Sequence, residues 1–144
     1  MKLSPIVKFK DGVFMNKLIE ENFVNSYIIK NRRERLLFEL WGKKRSDGIG
    51  RFCHGADTLI DASKIKLKGQ YISTELGNIV ATAKSRKCYV ISFFEELDGK
   101  EFNKDEVLEL ILGCGMPSIA VFDDFAIIET EQEQGPAIKY LLQK

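Results

Sequence analysis

Apolar residues change their spacing part-way along this chain, and that change limits the fold more than any other feature. Over residues 13–29, Phe14, Leu18, Ile19, Phe23, Tyr27 and Ile28 fall on one stripe of a helix. A polar hinge at 30–33 follows. Beyond it the period becomes two: Leu36, Phe38 and Leu40 alternate with their neighbours, as in a half-buried strand. Further short runs at 51–54, 64–68, 70–74, 79–83 and 88–94 read as strands, while 58–60 fits neither period. Turn-rich stretches separate them, among them 43–50 (KKRSDGIG), 75–78 and 84–87. Connections this short leave no room for the helical crossover that joins parallel strands, so an antiparallel or mixed meander is expected.

The rest of the chain adds two helices and a hairpin. Asn103, with Glu106 three residues on, has the form of a capping box. Val107, Leu108, Ile111 and Leu112 then form an apolar stripe that Gly113 and Gly115 end. Residues 119–122 and 125–129 read as a hairpin around Asp123-Asp124. Gly135-Pro136 opens a last short helix docked by Ile138, Leu141 and Leu142. Lys64, Lys66 and Lys68 lie on one face of their run, which suits a sheet edge. The expected fold is α+β: an antiparallel or mixed β-sheet packed by an N-terminal helix, a middle helix and a short C-terminal helix. A length of 144 residues is one domain, 1–144, and 44% apolar with 30% charged residues is ordinary globular composition.

Net charge is +1, but the sum hides a split. Residues 1–90 hold 18 Lys+Arg against 9 Asp+Glu (+9), and residues 91–144 hold 4 against 12 (−8). Such a split suits either a charged partner or contact between the halves. No stretch approaches the roughly 20 apolar residues of a membrane helix. Residues 1–11 alternate Lys with apolar residues and lack a signal core. Three cysteines without a CxxC pair, Cys53, Cys88 and Cys114, favour reduced thiols and a cytoplasmic protein.

Catalytic motifs are scarce. The one histidine, His54, follows Cys53 directly, and adjacent strand residues diverge, so these two are not expected to form a nucleophile–base pair, although Cys88 or Cys114 could still meet His54 in space. The same divergence counts against zinc held by His54 and the three cysteines. No metal site or cofactor is expected. Gly48 and Gly50 start no phosphate loop, since Cys53 stands where a glycine is needed; they are expected in a positive-φ turn between strands. Asp57 with Asp61, Asp123 with Asp124, and Glu95, Glu96 with Asp98 are the acids that a metal-dependent nuclease would draw on. Asp98-Gly99-Lys100 has the letters of an acidic-x-Lys pair but falls in a turn.

Charge is therefore assigned to recognition. The leading reading is a non-catalytic protein-binding module, of the inhibitor or immunity type that neutralises a basic toxin or enzyme. Its contact face would be acidic: Glu95, Glu96, Asp98, Asp123, Asp124, Glu129, Glu131 and Glu133, the last three on alternate strand positions. The alternative is a nucleic-acid or other polyanion binder using Arg32, Arg33, Arg35, Lys43, Lys44, Arg45 and Arg51, with Trp41 and Phe52 as stacking aromatics. A metal-dependent nuclease is the third reading.

Overall fold

A computed structural model describes the backbone at residues 6–8 and 14–144, and side chains from residue 16. Val13, where the first helix was expected to begin, and most of residues 1–11 lie outside the described residues. A short hairpin pairs β1 (Ile6–Lys8) with β2 (Phe14–Asn16). Helix α1 (Lys17–Tyr27) then starts at Asn16, whose side chain accepts from the Ile19 amide at 3.2 Å. Its buried stripe is Glu20, Phe23, Val24 and Tyr27.

The two expected strands at 36–41 and 51–54 are helices, α2 (Arg33–Leu40) and α3 (Arg45–His54). Leu36 and Leu40 are buried and Phe38 is exposed, because residues four apart share a helical face and the residue between them does not. Gly48 is not a positive-φ turn residue but lies inside α3. A Cβ there would sit 2.9 Å from Glu39 Cβ, so the glycine lets α3 approach α2 closely. The ambiguous 58–60 run falls at the end of a short helix, α4 (Ala56–Leu59).

Strand β3 (Ile65–Gly69) is where the lysine alternation placed it, at a sheet edge. In place of the expected strands at 70–74 and 79–83 stand a loop at 70–72 and one helix, α5 (Ser73–Ala81), burying Leu76 and Val80. Strand β4 (Lys87–Ser92), the short β5 (Lys100–Asn103) and helix α6 (Lys104–Ile111) follow. Asn103 caps α6 by accepting from the Asp105 amide at 3.0 Å, one residue earlier than a capping box places the bond. The hairpin forms as expected from β6 (Ser118–Val121) and β7 (Phe125–Glu129). The expected C-terminal helix is a strand, β8 (Lys139–Gln143).

The fold is α+β. Six antiparallel strands lie in the order β3-β8-β7-β6-β4-β5, so only β6-β7-β8 is a simple meander. Helices cover both faces. Tyr89, Ile91, Ile119, Ala126, Ile128, Tyr140 and Leu142 pack with α1–α4. Cys88, Val90, Ala120, Ile127 and Leu141 pack with Leu76, Val80, Val107 and Ile111 of α5 and α6. Burial on both faces explains why β4, β7 and β8 read as nearly continuous apolar runs.

Candidate functional site

Register places the loops. Ser92 ends β4 beside Ser118, which starts β6; Ser118 pairs Glu129, which ends β7; Glu129 pairs Lys139, which starts β8; Lys139 pairs Gly69, which ends β3. Residues 93–99, 112–117, 130–138 and 70–72 therefore all leave the sheet at one end. Backbone and side-chain bonds knit them together. The Phe93 amide donates to Pro117 O at 2.9 Å, and the Gln132 amide to Gly115 O at 2.9 Å. Gln70 Nε2 donates to Gln134 O at 2.7 Å and to Pro136 O at 3.1 Å. Asp123 and Asp124 turn at the opposite end, beyond Val121 and before Phe125.

Two of the expected contact acids are structural instead. Glu129 is buried, and its carboxylate accepts from the Gly113 amide at 2.7 Å, the Gly115 amide at 2.9 Å and Cys114 Sγ at 3.4 Å. Those bonds hold the loop after α6, where Gly113 (φ 87) and Gly115 (φ 76) take conformations closed to most residues. The alternate strand positions expected for Glu129, Glu131 and Glu133 stop at Glu129, the last residue of β7; Glu131 and Glu133 lie in the following loop, and at Glu129 both sheet faces are covered. Asp98 accepts from Arg45 Nε at 2.6 Å and Nη2 at 2.9 Å, and from the Ser92 amide at 3.1 Å.

Arg45 is equally unavailable as a surface cation. It also donates to Glu20 Oε1 at 2.8 Å, Glu20 Oε2 at 2.6 Å and Leu40 O at 2.8 Å. Glu20 is fully buried and takes further bonds from the Tyr89 hydroxyl at 2.6 Å and Trp41 Nε1 at 3.2 Å. Burial alone would lower the Arg45 pKa, but the hydrogen bonds and charges of Glu20 and Asp98 outweigh it and hold the guanidinium protonated. Burial, with Glu20 beside it, raises the Tyr89 phenol. This cluster ties α1, the α2–α3 turn, β4 and the 93–99 loop together. Sequence reasoning missed Glu20, although a carboxylate inside the Phe23–Tyr27 stripe signals a buried acid in need of partners.

Trp41 and Phe52 are not free stacking aromatics. Phe52 is core, and Trp41 is partly buried, with its N–H on Glu20 and Lys17 Nζ 5.1 Å over its ring. Arg33 Nε donates to Ile28 O at 2.9 Å, and Arg51 pairs with Glu39. Arg32, Arg35, Lys43 and Lys44 remain exposed along α2 and the following turn.

Glu131 and Glu133 line a cleft of about 550 Å³ with His54, Asp57, Gln70 and Tyr140. Asp57 accepts from Lys68 Nζ at 2.7 Å and the Tyr140 hydroxyl at 2.8 Å, and these two bonds lower its pKa. His54 Nδ1 lies 3.9 Å from Glu133 Oε1. Burial pushes the Cys53 thiol well up, and the Cys88 thiol up to about 12, with Glu101 adding to the latter. Burial also raises Cys114. Asp61 accepts from the Ser63 amide at 3.0 Å and the Ser63 hydroxyl at 2.8 Å, capping a short 3₁₀ turn. Among the described residues, no three His, Cys, Asp or Glu side chains converge to hold a metal ion. No described helix is long and apolar enough to cross a membrane.

The exposed acids Glu95, Glu96, Glu131 and Glu133 thus share one end of the sheet. Three exposed apolar side chains stand there with them: Phe93 (39% exposed), Ile138 (39%) and Tyr71 (76%). No protein-family model matches this chain, and no match was found among the curated proteins or the solved structures.

Proposed function

We propose that the protein is a non-catalytic recognition module that grips a basic protein with the loop-bearing end of its sheet. The observation that carries this reading is the coincidence of Phe93, Ile138 and Tyr71 with Glu95, Glu96, Glu131 and Glu133 at that end. Aromatic and aliphatic side chains anchor protein interfaces, and a charged rim steers the encounter and sets partner choice. Three further features favour binding over catalysis. Burial raises the thiols, Asp57 is committed to Lys68 and Tyr140, and His54 lies 3.9 Å from the exposed Glu133. An inhibitor or immunity-type protein that masks a basic toxin or enzyme fits such a surface.

Affinity capture from native lysate tests it, with the wild type and a quadruple variant Glu95→Lys, Glu96→Lys, Glu131→Lys, Glu133→Lys as baits. A basic protein held by the wild type should be lost by the variant. Its binding to the wild type should weaken as salt rises, and that dependence should flatten when single acids are reversed. Equal retention by both baits would refute the proposal.

A further inference from the structure

A second surface lies on the helical layer, around α2. Leu36 and Leu40 face the core, which turns Phe38 outward, and Phe38 is 75% exposed. Arg35 lies three residues before Phe38 and is its neighbour on the helix surface. Arg32 precedes it by one turn more, and Lys43 and Lys44 occupy the turn that follows the helix. All four cations are exposed. Of the acids on the helix, Glu39 is engaged by Arg51 and lies 4.0 Å from Arg35, which leaves Glu34 as the counter-charge.

Glu39 offsets Arg35, and Asp47 is exposed four residues after Lys43, yet four exposed cations against Glu34 and Asp47 leave α2 and its flanking turns with a positive excess beside the exposed Phe38 ring. Single-stranded nucleic acid offers phosphates to the cations and unpaired bases to the ring. A duplex hides its bases from such a ring, and an acidic peptide without aromatic residues, such as polyglutamate, has no ring to lay on it. We propose that α2 and its flanking turns bind single-stranded nucleic acid through Arg32, Arg35, Phe38, Lys43 and Lys44, with the cations tracking the backbone and Phe38 stacking on a base. This surface is separate from the acidic sheet end, and it carries a second binding activity.

The probe is a labelled 20-mer of oligo(dT), with oligo(U), the matching duplex and polyglutamate as competitors. Each phosphate neutralised on a single strand contributes a slope of about −0.7 in log affinity against log salt. Four cations give a slope of about −3, so affinity should fall about 50-fold between 50 and 200 mM salt. Phe38→Ala should weaken binding about ten-fold or more and leave that slope unchanged. Lys43→Glu with Lys44→Glu should reduce the slope itself, while Glu131→Lys with Glu133→Lys should not weaken binding. All the substituted side chains are exposed, and thermal unfolding of each variant confirms that it is folded. Failure to bind at 50 mM salt overturns the proposal. So does binding that Phe38→Ala leaves untouched, which is charge adsorption alone, or binding that duplex or polyglutamate displaces as well as oligo(U) does.

Discussion

Glu129 and Glu131 stand two residues apart, yet substitution should separate them completely. Glu129 is buried and satisfies two backbone amides of a glycine turn; Glu131 is exposed on the cleft rim. A lysine at 129 would leave those amides without their acceptor and bury an unpaired cation. Breaking a buried charged contact in this way costs about 3–5 kcal/mol. Urea unfolding should therefore show Glu129→Lys as severely destabilised or unfolded, and Glu131→Lys within about 0.5 kcal/mol of wild type. Comparable midpoints for the two variants would show that Glu129 does not hold the loop. Sequence alternation correctly placed Glu129 on a strand. It could not show that α5 and α6 cover the face which that residue would otherwise present to solvent.

At the scale of elements, α2 is the instructive error. Leu36, Phe38 and Leu40 fit a period of two, but Leu36 and Leu40 also fit a helix, and three residues cannot distinguish the two. The glycines of 43–50 then suggested a turn, although Gly48 is there for the close approach of α3 to Glu39. In a strand, all three side chains would share one face and lose similar stability on truncation. In the helix, Leu36→Ala should cost about 2–5 kcal/mol through lost burial and the cavity left behind, and Phe38→Ala almost nothing. Chemical denaturation of the two variants measures the difference. Equal losses would return the segment to a strand. The mirror error is β8, where Ile138, Leu141 and Leu142 have helical spacing. There a strand buried on both faces loses its alternation, and only its partners β3 and β7 identify it. By contrast, α6 and the β6–β7 hairpin were legible because Asn103, the paired glycines and Asp123-Asp124 act locally, without help from distant packing.

For the whole molecule, the question is whether the +9 and −8 halves cancel each other. The halves pack together through the sheet, but among the described residues few ion pairs join them. Among the described residues, Arg45 with Asp98 and His54 with Glu133 cross from one half to the other. Glu39 pairs with Arg35 and Arg51, Asp57 with Lys68, and Glu20 with Arg45, all inside the basic half. Glu95, Glu96, Glu131 and Glu133 are left at the sheet end and Arg32, Arg35, Lys43 and Lys44 along α2, so opposite charges stand on separate patches. A protein of net charge +1 with such patches should be held by both cation- and anion-exchange media at low salt, because a matrix senses local rather than summed charge. Both interactions should fade as the Debye length shrinks through about 10 Å near 0.1 M salt. The four-acid reversal should weaken retention on the anion exchanger, where Glu101, Asp105, Glu106, Glu109, Asp123 and Asp124 remain exposed, and keep it on the cation exchanger. Wild-type protein that passes through both columns at low salt would mean that the halves neutralise one another. Neither the acidic sheet end nor the α2 face could then act as a charged recognition surface.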